Sequence, residues 1–321
     1  MLRDTLFKFN EEEKTTREGF GNALADIGKD ERVCALCADL TDSVRMDLFR
    51  DKYPKRFFEM GITEQAMSGV ASGLASAGMI PFIASYAMFS PGRNWEQIRT
   101  TAAYNNVPVK IVGAHTGVSV GPDGATHQAL EDVALMRVIP NMNVIVPCDA
   151  IEAYYATKAM LEIDAPVYLR LTREKTPVIL KDTYQFSFGK AYIMQIPKKD
   201  YVKKVGIISC GPIIYEALKA AKELEKEGIG VTVVNMPTIK PLDTCFLLRF
   251  VKNISAIVTV EEHQVAGGMG SAVAEFLSEH HPIKIARVGI EDRFGQSGTV
   301  RDLYEEYGLT SKHIVEKVRN L

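Results

Sequence analysis

The sequence predicts an α/β protein of two successive domains, each built around a parallel sheet. Short β-rich segments alternate with segments of helical periodicity from Thr15 onward, which is the pattern of a parallel α/β sheet. The chain has 321 residues, 46% of them hydrophobic and 24% charged, enough for two packed cores. The alternation breaks between residues 174 and 201, so we expect domains at 1–180 and 181–321.

The first domain is expected to alternate strands and helices in regular order. The strand candidates are apolar and β-branched, and the helix candidates carry apolar residues at three- and four-residue spacing. Thr63 is expected to cap the second helix, which places Glu64 in its first turn. The predicted strands are 32–38, 80–85, 109–114, 143–146 and 167–171, and the predicted helices are 17–27, 64–77, 94–105, 130–138 and 150–162.

The second domain is expected to repeat the alternation with fewer elements. Before it, residues 174–201 contain Pro177, aromatic-rich runs and a lysine-rich loop, with no helix of normal length. We expect the basic cluster Lys198, Lys199, Lys203 and Lys204 to lie in a loop and interpret it as solvated surface. The predicted strands are 205–209, 231–235, 256–260 and 283–287, and the predicted helices are 213–227, 269–279 and 300–306.

Composition and charge exclude several classes of function. A net charge of −2 and a pI near 6.3 offer no electrostatic footprint for nucleic acid. Residues 1–14 contain no apolar segment typical of a secretory signal, so we expect a cytoplasmic protein. The uncharged run 65–92 is rich in small residues and broken by Pro81, which favours a buried helix and strand over a membrane span.

Four short motifs have ordinary structural explanations. Gly117–Gly121 has the spacing of a hydrolase nucleophile elbow, but a Gly-Pro-Asp-Gly turn follows it instead of a helix. Gly267–Gly270 lacks the third glycine of a dinucleotide site and indicates a tight turn. His280 and His281 are expected to cap carbonyls at a helix end. Cys34 and Cys37 have redox spacing within an apolar strand, and we expect the five cysteines to be buried thiols.

Glu64 is the first candidate for chemistry. It lies at the rim of the uncharged run, in Gly-Ile-Thr-Glu-Gln. A carboxyl group loses hydration in such a place, which favours a hydrogen bond to a partner held in the same dry environment. A catalytic glutamate that binds a ring nitrogen needs this arrangement.

The 115–127 loop is the second candidate region. It leaves the C-terminal end of a predicted strand, where open α/β sheets bind ligands, and it carries His115, Asp123 and His127 in a glycine-rich frame. An ordinary structured loop is the alternative, because Gly and Asp also make turns. Tyr86 and Phe89 end the uncharged run and offer ring faces to a planar ligand, or are ordinary core aromatics.

Four long segments resemble the pyrimidine-binding domain of transketolase. They are GITEQAMSGVASGLASAG, IPFIASYAMF, HTGVSVGPDGATHQALED and MRVIPNMNVIVPCDA, and the resemblance continues through the second domain. It implies a thiamine-diphosphate-binding fold followed by a smaller transketolase C-terminal-like α/β domain. It also implies transfer of a two-carbon ketol unit from a ketose phosphate to an aldose phosphate, as in the pentose phosphate pathway.

The resemblance further implies a partner subunit. Transketolases hold the diphosphate and its Mg²⁺ or Ca²⁺ with a Gly-Asp-Gly motif and a downstream Asn, and this sequence contains no Gly-Asp-Gly. The chain therefore resembles the C-terminal subunit of a split transketolase. An N-terminal subunit would supply the metal site, in an α2β2 assembly.

The resemblance assigns cofactor roles to four residues. Glu64 matches the glutamate that hydrogen-bonds the aminopyrimidine ring nitrogen and favours the imino tautomer needed to activate the cofactor. Tyr86 and Phe89 match aromatic residues that pack on the aminopyrimidine, and Asp39 matches an acid beside the cofactor.

The resemblance also assigns sugar-phosphate contacts. Two guanidinium groups and a hydroxyl suit a dianionic phosphate, because Arg presents charge and paired donors in a fixed fork. His115 and His127 match histidines of the substrate channel and the catalytic set, and Asp123 matches an acid that contacts a donor hydroxyl. The phosphate binders are Arg17, Ser43 and Arg173, with His115 nearby.

Two departures leave the subfamily open. Gln65 stands where many transketolases have His, which resembles 1-deoxyxylulose-5-phosphate synthase, and Gly92 or Arg93 lies near the position of a third ring-packing aromatic. The E1 beta subunit of a 2-oxoacid dehydrogenase shares the two-domain plan but has no use for the arginine pair. A module that only binds or regulates a partner is the non-enzyme alternative. The preferred sugars stay open.

Overall fold

The computed structural model describes residues 1–3, 6–7 and 11–321 and contains two main sheets. Helices cover these sheets, and the inner strands of each run parallel. The predicted α/β class is therefore confirmed. We call the larger, seven-stranded sheet the first sheet and the five-stranded one the second sheet.

The first sheet has the strand order β12-β6-β7-β5-β4-β2-β3, with strands numbered along the chain. All neighbours are parallel except the outermost pair, β12 and β6. Two further short strands pair antiparallel beside it, Glu13–Lys14 (β1) and Thr176–Pro177 (β8). The strands of the first sheet are β2 (Val33–Cys37), β3 (Phe57–Glu59), β4 (Ile80–Tyr86), β5 (Lys110–Ala114), β6 (Asn143–Ile145), β7 (Val167–Arg170) and β12 (Thr238–Lys240).

Helices pack on both faces of the first sheet. Its central strands are buried throughout, and alternate residues of β2 enter two different apolar clusters, as expected for a sheet covered on both sides. The first helix begins at a capping box in which Thr15 and Glu18 exchange hydrogen bonds. The helices are α1 (Thr16–Ile27), α2 (Asp47–Lys52), α3 (Glu64–Ser76), α4 (Trp95–Gln97), α5 (Asp132–Arg137) and α6 (Ala150–Ala159), with 3-10 turns at Pro54–Arg56, Val118–Asp123 and Met160–Glu162.

The second sheet has the order β14-β13-β10-β11-β9, with only β9 antiparallel to its neighbour. Its strands are β9 (Tyr192–Gln195), β10 (Lys203–Ser209), β11 (Ile229–Asn235), β13 (Ala256–Gln264) and β14 (Lys284–Ile290). Its helices are α7 (Ile214–Lys226), α8 (Thr244–Phe250), α9 (Met269–His280), α10 (Val300–Glu306) and α11 (Ser311–Arg319), with a 3-10 turn at Val251–Asn253.

Strand β12 connects the two halves of the chain. It follows β11 of the second sheet but pairs antiparallel with β6 of the first, with Thr238 opposite Ile145. Nearby, the buried carboxylate of Glu152 accepts hydrogen bonds from Asn235 Nδ2 at 2.9 and 3.0 Å and from the Tyr184 hydroxyl at 2.5 Å. The two sheets are therefore joined by β12, a strand that the second half of the chain adds to the first sheet, and by buried polar contacts.

The predicted helix 94–105 is wrong in its interior. A short α-helical turn gives way to a π-helix, Ile98–Ala103. The hydroxyls of Thr100 and Thr101 donate to carbonyls four residues earlier, at 2.9 and 2.6 Å. Such bonds compete with the backbone ladder and bend or widen helices.

Three smaller expectations also need correction. Thr63 occupies the N-cap position of α3, but its hydroxyl donates to Met60 O at 2.6 Å and caps no helical N–H. Four of the five free cysteines are buried, whereas Cys245 is exposed. Lys203 and Lys204 begin strand β10 and do not lie in a loop. In the described part of the chain, no helix is both long and apolar enough to cross a membrane.

Candidate active site

Four neighbouring strands of the first sheet deliver the candidate residues to one edge. Strands β7, β5, β4 and β2 are adjacent and parallel, so their carboxyl ends meet at the same side of the sheet. Arg173 follows β7, His115 follows β5, Tyr86 ends β4 and Asp39 follows β2. This edge is where open α/β sheets bind ligands.

Arg17, Ser43 and Arg173 form one end of the site, which we call the anion end. Arg17 lies in the first turn of α1 and donates through Nη1 to Ser43 O and through Nη2 to Arg173 O at 2.6 Å. The Ser43 hydroxyl lies 2.8 Å from the Tyr86 hydroxyl. Backbone carbonyls thus hold the arginines in place while leaving the cluster short of negative charge.

Electrostatics at the anion end favour a negative ligand. Burial lowers the pKa of Arg17, and the guanidinium groups of Arg45 and Arg173 lower it further. Arg173 has acidic neighbours, but Asp123 lies 3.9 Å away and Glu174 3.5 Å away, and both are partly exposed. An anion bound here would relieve the repulsion among the three guanidinium groups.

His115 is held as a neutral ring between the arginines and Tyr86. Its backbone has φ +54°, its side chain is buried, and its ring centroid lies 3.7 Å from that of Tyr86 in a stacked arrangement. Burial, together with Arg17, Arg173 and His127, lowers the pKa of His115 to about 2. Nδ1 is buried without a hydrogen-bond partner in the described structure.

Aromatic rings continue the site from His115 toward Phe89. The ring centroids of Tyr86 and Phe89 lie 6.1 Å apart and nearly parallel. The His127 ring meets both edge-on, at 6.2 Å from Tyr86 and 5.6 Å from Phe89. These rings form an apolar surface of the size of a small heterocycle.

Glu64 forms the other end, which we call the carboxylate end, together with Phe89 and Arg93. Glu64 begins α3 and is 1% exposed. Its Oε2 accepts a hydrogen bond from Arg93 Nη1 at 2.7 Å, while the Arg93 guanidinium lies 4.9 Å from the Phe89 ring centroid. The Arg93 side chain is 47% exposed, so this partner is far less fixed than Glu64 itself.

Asp39 is positioned separately from this row of contacts. It has φ +60°, and its N–H donates to Glu59 Oε1 at 2.8 Å. The same carboxylate accepts from Gly61 N at 3.2 Å and from the Thr41 hydroxyl at 2.7 Å. Glu59 therefore ties the Asp39 turn to the turn that precedes Glu64.

The 115–127 loop places Asp123 and His127 beside the anion end. Its middle forms a 3-10 turn with Gly121 at φ +77°, and Arg173 Nη1 donates to Val120 O at 2.6 Å. The Thr126 hydroxyl lies 2.9 Å from His127 Nδ1. Arg173 thus contacts both the loop and Arg17 of the anion end.

The carboxylate end fits the aminopyrimidine part of thiamine diphosphate. A heterocycle with ring nitrogens needs a carboxyl partner and apolar faces, and Glu64, Tyr86 and Phe89 offer these side by side. Among the residues that the structure describes, no group of three His, Cys, Asp or Glu side chains is arranged to hold a metal ion.

Sequence reasoning missed two partners of the site. Arg93 was noted only as standing near an absent aromatic, and its contact with Glu64 depends on the path of the chain through 90–94. Glu59 lies five residues before Glu64 with no motif to mark it. A charged residue immediately after a long uncharged run was the available signal for Arg93.

Two of the motifs with ordinary structural explanations form a turn and a helix end, respectively. Two amides of the Gly267–Gly270 motif are occupied, because Glu261 accepts hydrogen bonds from Met269 N at 2.7 Å and Gly270 N at 2.8 Å. His280 Nδ1 lies 2.9 Å from Phe276 O at the end of α9, as expected of a helix cap. The same expectation is wrong for His281, whose Nδ1 is buried without a hydrogen-bond partner in the described structure.

Comparisons with known proteins agree with this arrangement. The family model "Transketolase, pyrimidine binding domain" matches residues 12–178, and "Transketolase, C-terminal domain" matches residues 195–314. The chain is 41% identical to a putative transketolase C-terminal section of Methanocaldococcus jannaschii over 95% of each chain. It is 38% identical to the 6-deoxy-6-sulfo-D-fructose transketolase subunit SqwH of a Clostridium species, over 96% of this chain and 95% of that one. A solved structure described as a split gene transketolase, inactive beta4 tetramer, is similar with a TM-score of 0.87 and 42% identity, over 95% of this chain and 97% of that one.

Proposed function

Because this chain belongs to the transketolase family, we propose that it is the subunit of a thiamine-diphosphate-dependent transketolase that carries the aminopyrimidine and sugar-phosphate contacts. The reaction moves a two-carbon ketol unit from a ketose phosphate to an aldose phosphate. We place the division between the two domains near residue 180.

One observation carries the proposal. The candidate residues form a continuous row of contacts, from Glu64 through Arg93 and Phe89 to Tyr86, and from the Tyr86 hydroxyl through Ser43 to the arginines of the anion end. This row supports a cofactor site and an anion site at its two ends. Group transfer between sugars requires this, because the sugar carbon must reach the cofactor while its phosphate is held elsewhere.

Each end has a distinct task in the proposed reaction. Thiamine diphosphate supplies a carbon nucleophile that carries the transferred unit. Glu64 hydrogen-bonds a ring nitrogen of the cofactor, while Tyr86 and Phe89 pack on the ring, with Asp39 beside it. Glu64 then controls where a proton is held during activation.

The substrate end binds and orients the sugar. Arg17, Ser43 and Arg173 hold its phosphate. Because its pKa is about 2, His115 stays neutral and can donate or accept a hydrogen bond without adding charge. His127 and Asp123 contact the sugar hydroxyls from the 115–127 loop.

A partner subunit completes the enzyme in this proposal. It carries the Gly-Asp-Gly motif that this sequence lacks and holds the diphosphate with Mg²⁺ or Ca²⁺. An α2β2 assembly would place each site between subunits. The similar structure described as an inactive beta4 tetramer supports the expectation that this chain alone is inactive.

The terminal anion of the sugar defines the substrate class. A phosphate and a sulfonate both present three oxygens to paired guanidinium donors. The relative that acts on 6-deoxy-6-sulfo-D-fructose supports testing a sulfonate beside the phosphates. The fewer charges of a sulfonate should make it the weaker ligand for three guanidinium groups.

The test is to purify the tagged chain with its native partner and assay it with thiamine diphosphate and Mg²⁺. We expect sedoheptulose 7-phosphate from xylulose 5-phosphate and ribose 5-phosphate, with no product once the partner is removed. Turnover of pyruvate with glyceraldehyde 3-phosphate, or of 2-oxoacids alone, would instead identify a synthase or a dehydrogenase component. A partner-bound complex inert toward every donor would identify a binding module.

A further inference from the structure

A carboxylate from the second sheet accepts a hydrogen bond from the 115–127 loop. Glu262 lies in β13 and is 3% exposed. Its Oε1 accepts the Ser119 N–H at 2.6 Å, and its Oε2 accepts the Tyr304 hydroxyl of α10 at 3.0 Å. One buried side chain therefore joins the loop to a strand and a helix of the other half of the chain.

The loop is shaped to receive this carboxylate. Gly117 has φ +77°, and a Cβ placed there would lie 2.2 Å from Glu262 Oε1. A larger residue would clash as well as adopt a backbone conformation that is costly without glycine. Gly117 and Glu262 are thus complementary in space.

A second set of hydrogen bonds holds the same loop. Gln128 Nε2 donates to Val118 O and Gly121 O, both at 3.2 Å, and to Gln296 O at 2.9 Å. Gln296 belongs to the segment between β14 and α10. In the same segment, Ser297 leaves no room for a side chain at Gly124, where a Cβ would lie 2.7 Å from its hydroxyl.

These contacts use other atoms of the loop than the site does. Arg173 donates to Val120 O, Asp123 lies 3.9 Å from Arg173, and the His127 ring meets Phe89 edge-on. Glu262 touches neither the rings nor the arginine pair in the described structure. It can act on the sugar only by fixing the loop.

We propose that Glu262 is a positioning residue that holds the 115–127 loop, through Ser119 and Tyr304, in the form that presents Asp123 and His127 to the sugar. The second sheet thereby sets the sugar affinity of a site built on the first sheet. The effect on sugar rests on the proposed function, whereas the effect on the loop does not.

Glu261 provides a matched control. It is the preceding residue of the same strand and is 1% exposed, but its carboxylate accepts the amides of Met269 and Gly270 at the start of α9. Removing it also deletes a buried carboxylate of the second sheet. The two variants differ in which amide groups lose their acceptor, Ser119 for Glu262 and the start of α9 for Glu261.

The first measurement is amide hydrogen exchange on the full chain without its partner. In Glu262→Ala we expect exchange in peptides covering 117–124 to accelerate about tenfold or more, because the Ser119 N–H loses its acceptor. In Glu261→Ala the acceleration should appear at 267–271 and leave 117–124 unchanged. Equal loop protection in both variants would overturn the proposal.

The second measurement is steady-state kinetics of the complex with its partner. Glu262→Ala should raise the KM for the sugar about tenfold or more, with thiamine diphosphate affinity unchanged. Glu262→Gln keeps an acceptor and should stay within about threefold of the parent KM. A KM increase of the same size in Glu261→Ala, or a loss of cofactor affinity in Glu262→Ala, would assign Glu262 a merely structural role.

Tyr304→Phe covers the case in which Glu262→Ala does not fold. It removes one hydrogen bond from the Glu262 carboxylate and keeps the ring, so loop exchange should accelerate by about threefold. If amide exchange at 117–124 did not change, Tyr304 would have no part in holding the loop, and the proposal as stated would be overturned. A complex without transketolase activity would refute the proposed function. Hydrogen exchange of the loop would still decide whether Glu262 holds it.

Discussion

The anion end and the carboxylate end of the site differ in what holds their charged groups. At the anion end, Arg17 and Arg173 are fixed by backbone carbonyls of the chain itself. At the carboxylate end, the buried Glu64 is paired with a side chain that is half exposed. The difference teaches that the proposed sugar-phosphate contacts are preorganised in this chain, whereas the proposed cofactor contact would have to exchange Arg93 for a ligand.

Glu64→Gln should have the largest effect and breaks the carboxylate end. An amide has the same shape but cannot take part in the proton arrangement of the cofactor, so kcat of the complex should fall about 100-fold or more. The measurement is turnover at saturating thiamine diphosphate. The exposed Glu96→Gln is the control. Retention of a tenth of the activity would remove Glu64 from the mechanism.

Arg17→Met and Arg173→Met break the anion end. Each deletes charged hydrogen bonds to phosphate, so the KM for a phosphorylated donor should rise about 10- to 100-fold. The same variants assayed with unphosphorylated xylulose should show little change, which separates lost recognition from lost folding. The exposed Arg50→Met is the control. An equal loss with both sugars would show that the arginines act only on structure.

His115 should make stability depend on pH at the anion end. Its pKa of about 2 lies below its ordinary value, so between pH 6 and pH 4.5 the unfolded chain takes up a proton that the folded chain does not. Its stabilising contribution is complete above the ordinary pKa and is lost as pH falls, by about 1.4 kcal/mol per pH unit.

His115→Asn should therefore flatten the decline in urea stability over this pH range. Some decline should persist, because burial lowers the pKa of His263 to about 4. The exposed His280→Asn is the control and should keep the parent slope. A parent slope in His115→Asn would show that His115 gains its proton in the folded state.

Arg93→Met should have the smallest effect and sharpens the comparison. The half-exposed ion pair with Glu64 contributes little, so the free energy of unfolding of the isolated chain should change by less than about 1 kcal/mol. Arg99→Met, on the neighbouring exposed surface, is the control. Thiamine diphosphate affinity of the complex should be equal or higher, because the competing partner of Glu64 is gone. A tenfold weaker affinity would mean that Arg93 binds the cofactor.

Much of the fold follows from local patterns that the sequence carries. The predicted strand 32–38 agrees with β2, and 80–85 with β4, because runs buried on both faces are apolar throughout. Strand β12 could not be predicted. Its three residues pair with a strand almost a hundred positions earlier, and no periodicity reports such a contact.

The candidate site divides in the same way. Glu64 and His115 stand in long motifs and Arg173 follows a predicted strand, and the convergence of His115 and Arg173 follows from the parallel order of the strands. Arg93 and Glu262 act through contacts made after folding. The end of the uncharged run marks Arg93 as unusual but does not identify its partner, and no motif marks Glu262.

Strand β12, which the second half of the chain adds to the first sheet, limits how this protein can be divided. Without it, β6 would become an edge with unpaired backbone groups, and bare edges recruit strands from other molecules. Expression of residues 1–180 alone should therefore favour aggregation. A chimaera that exchanges one half of the chain should therefore keep β12 and β6 from the same parent, because the two strands pair with each other.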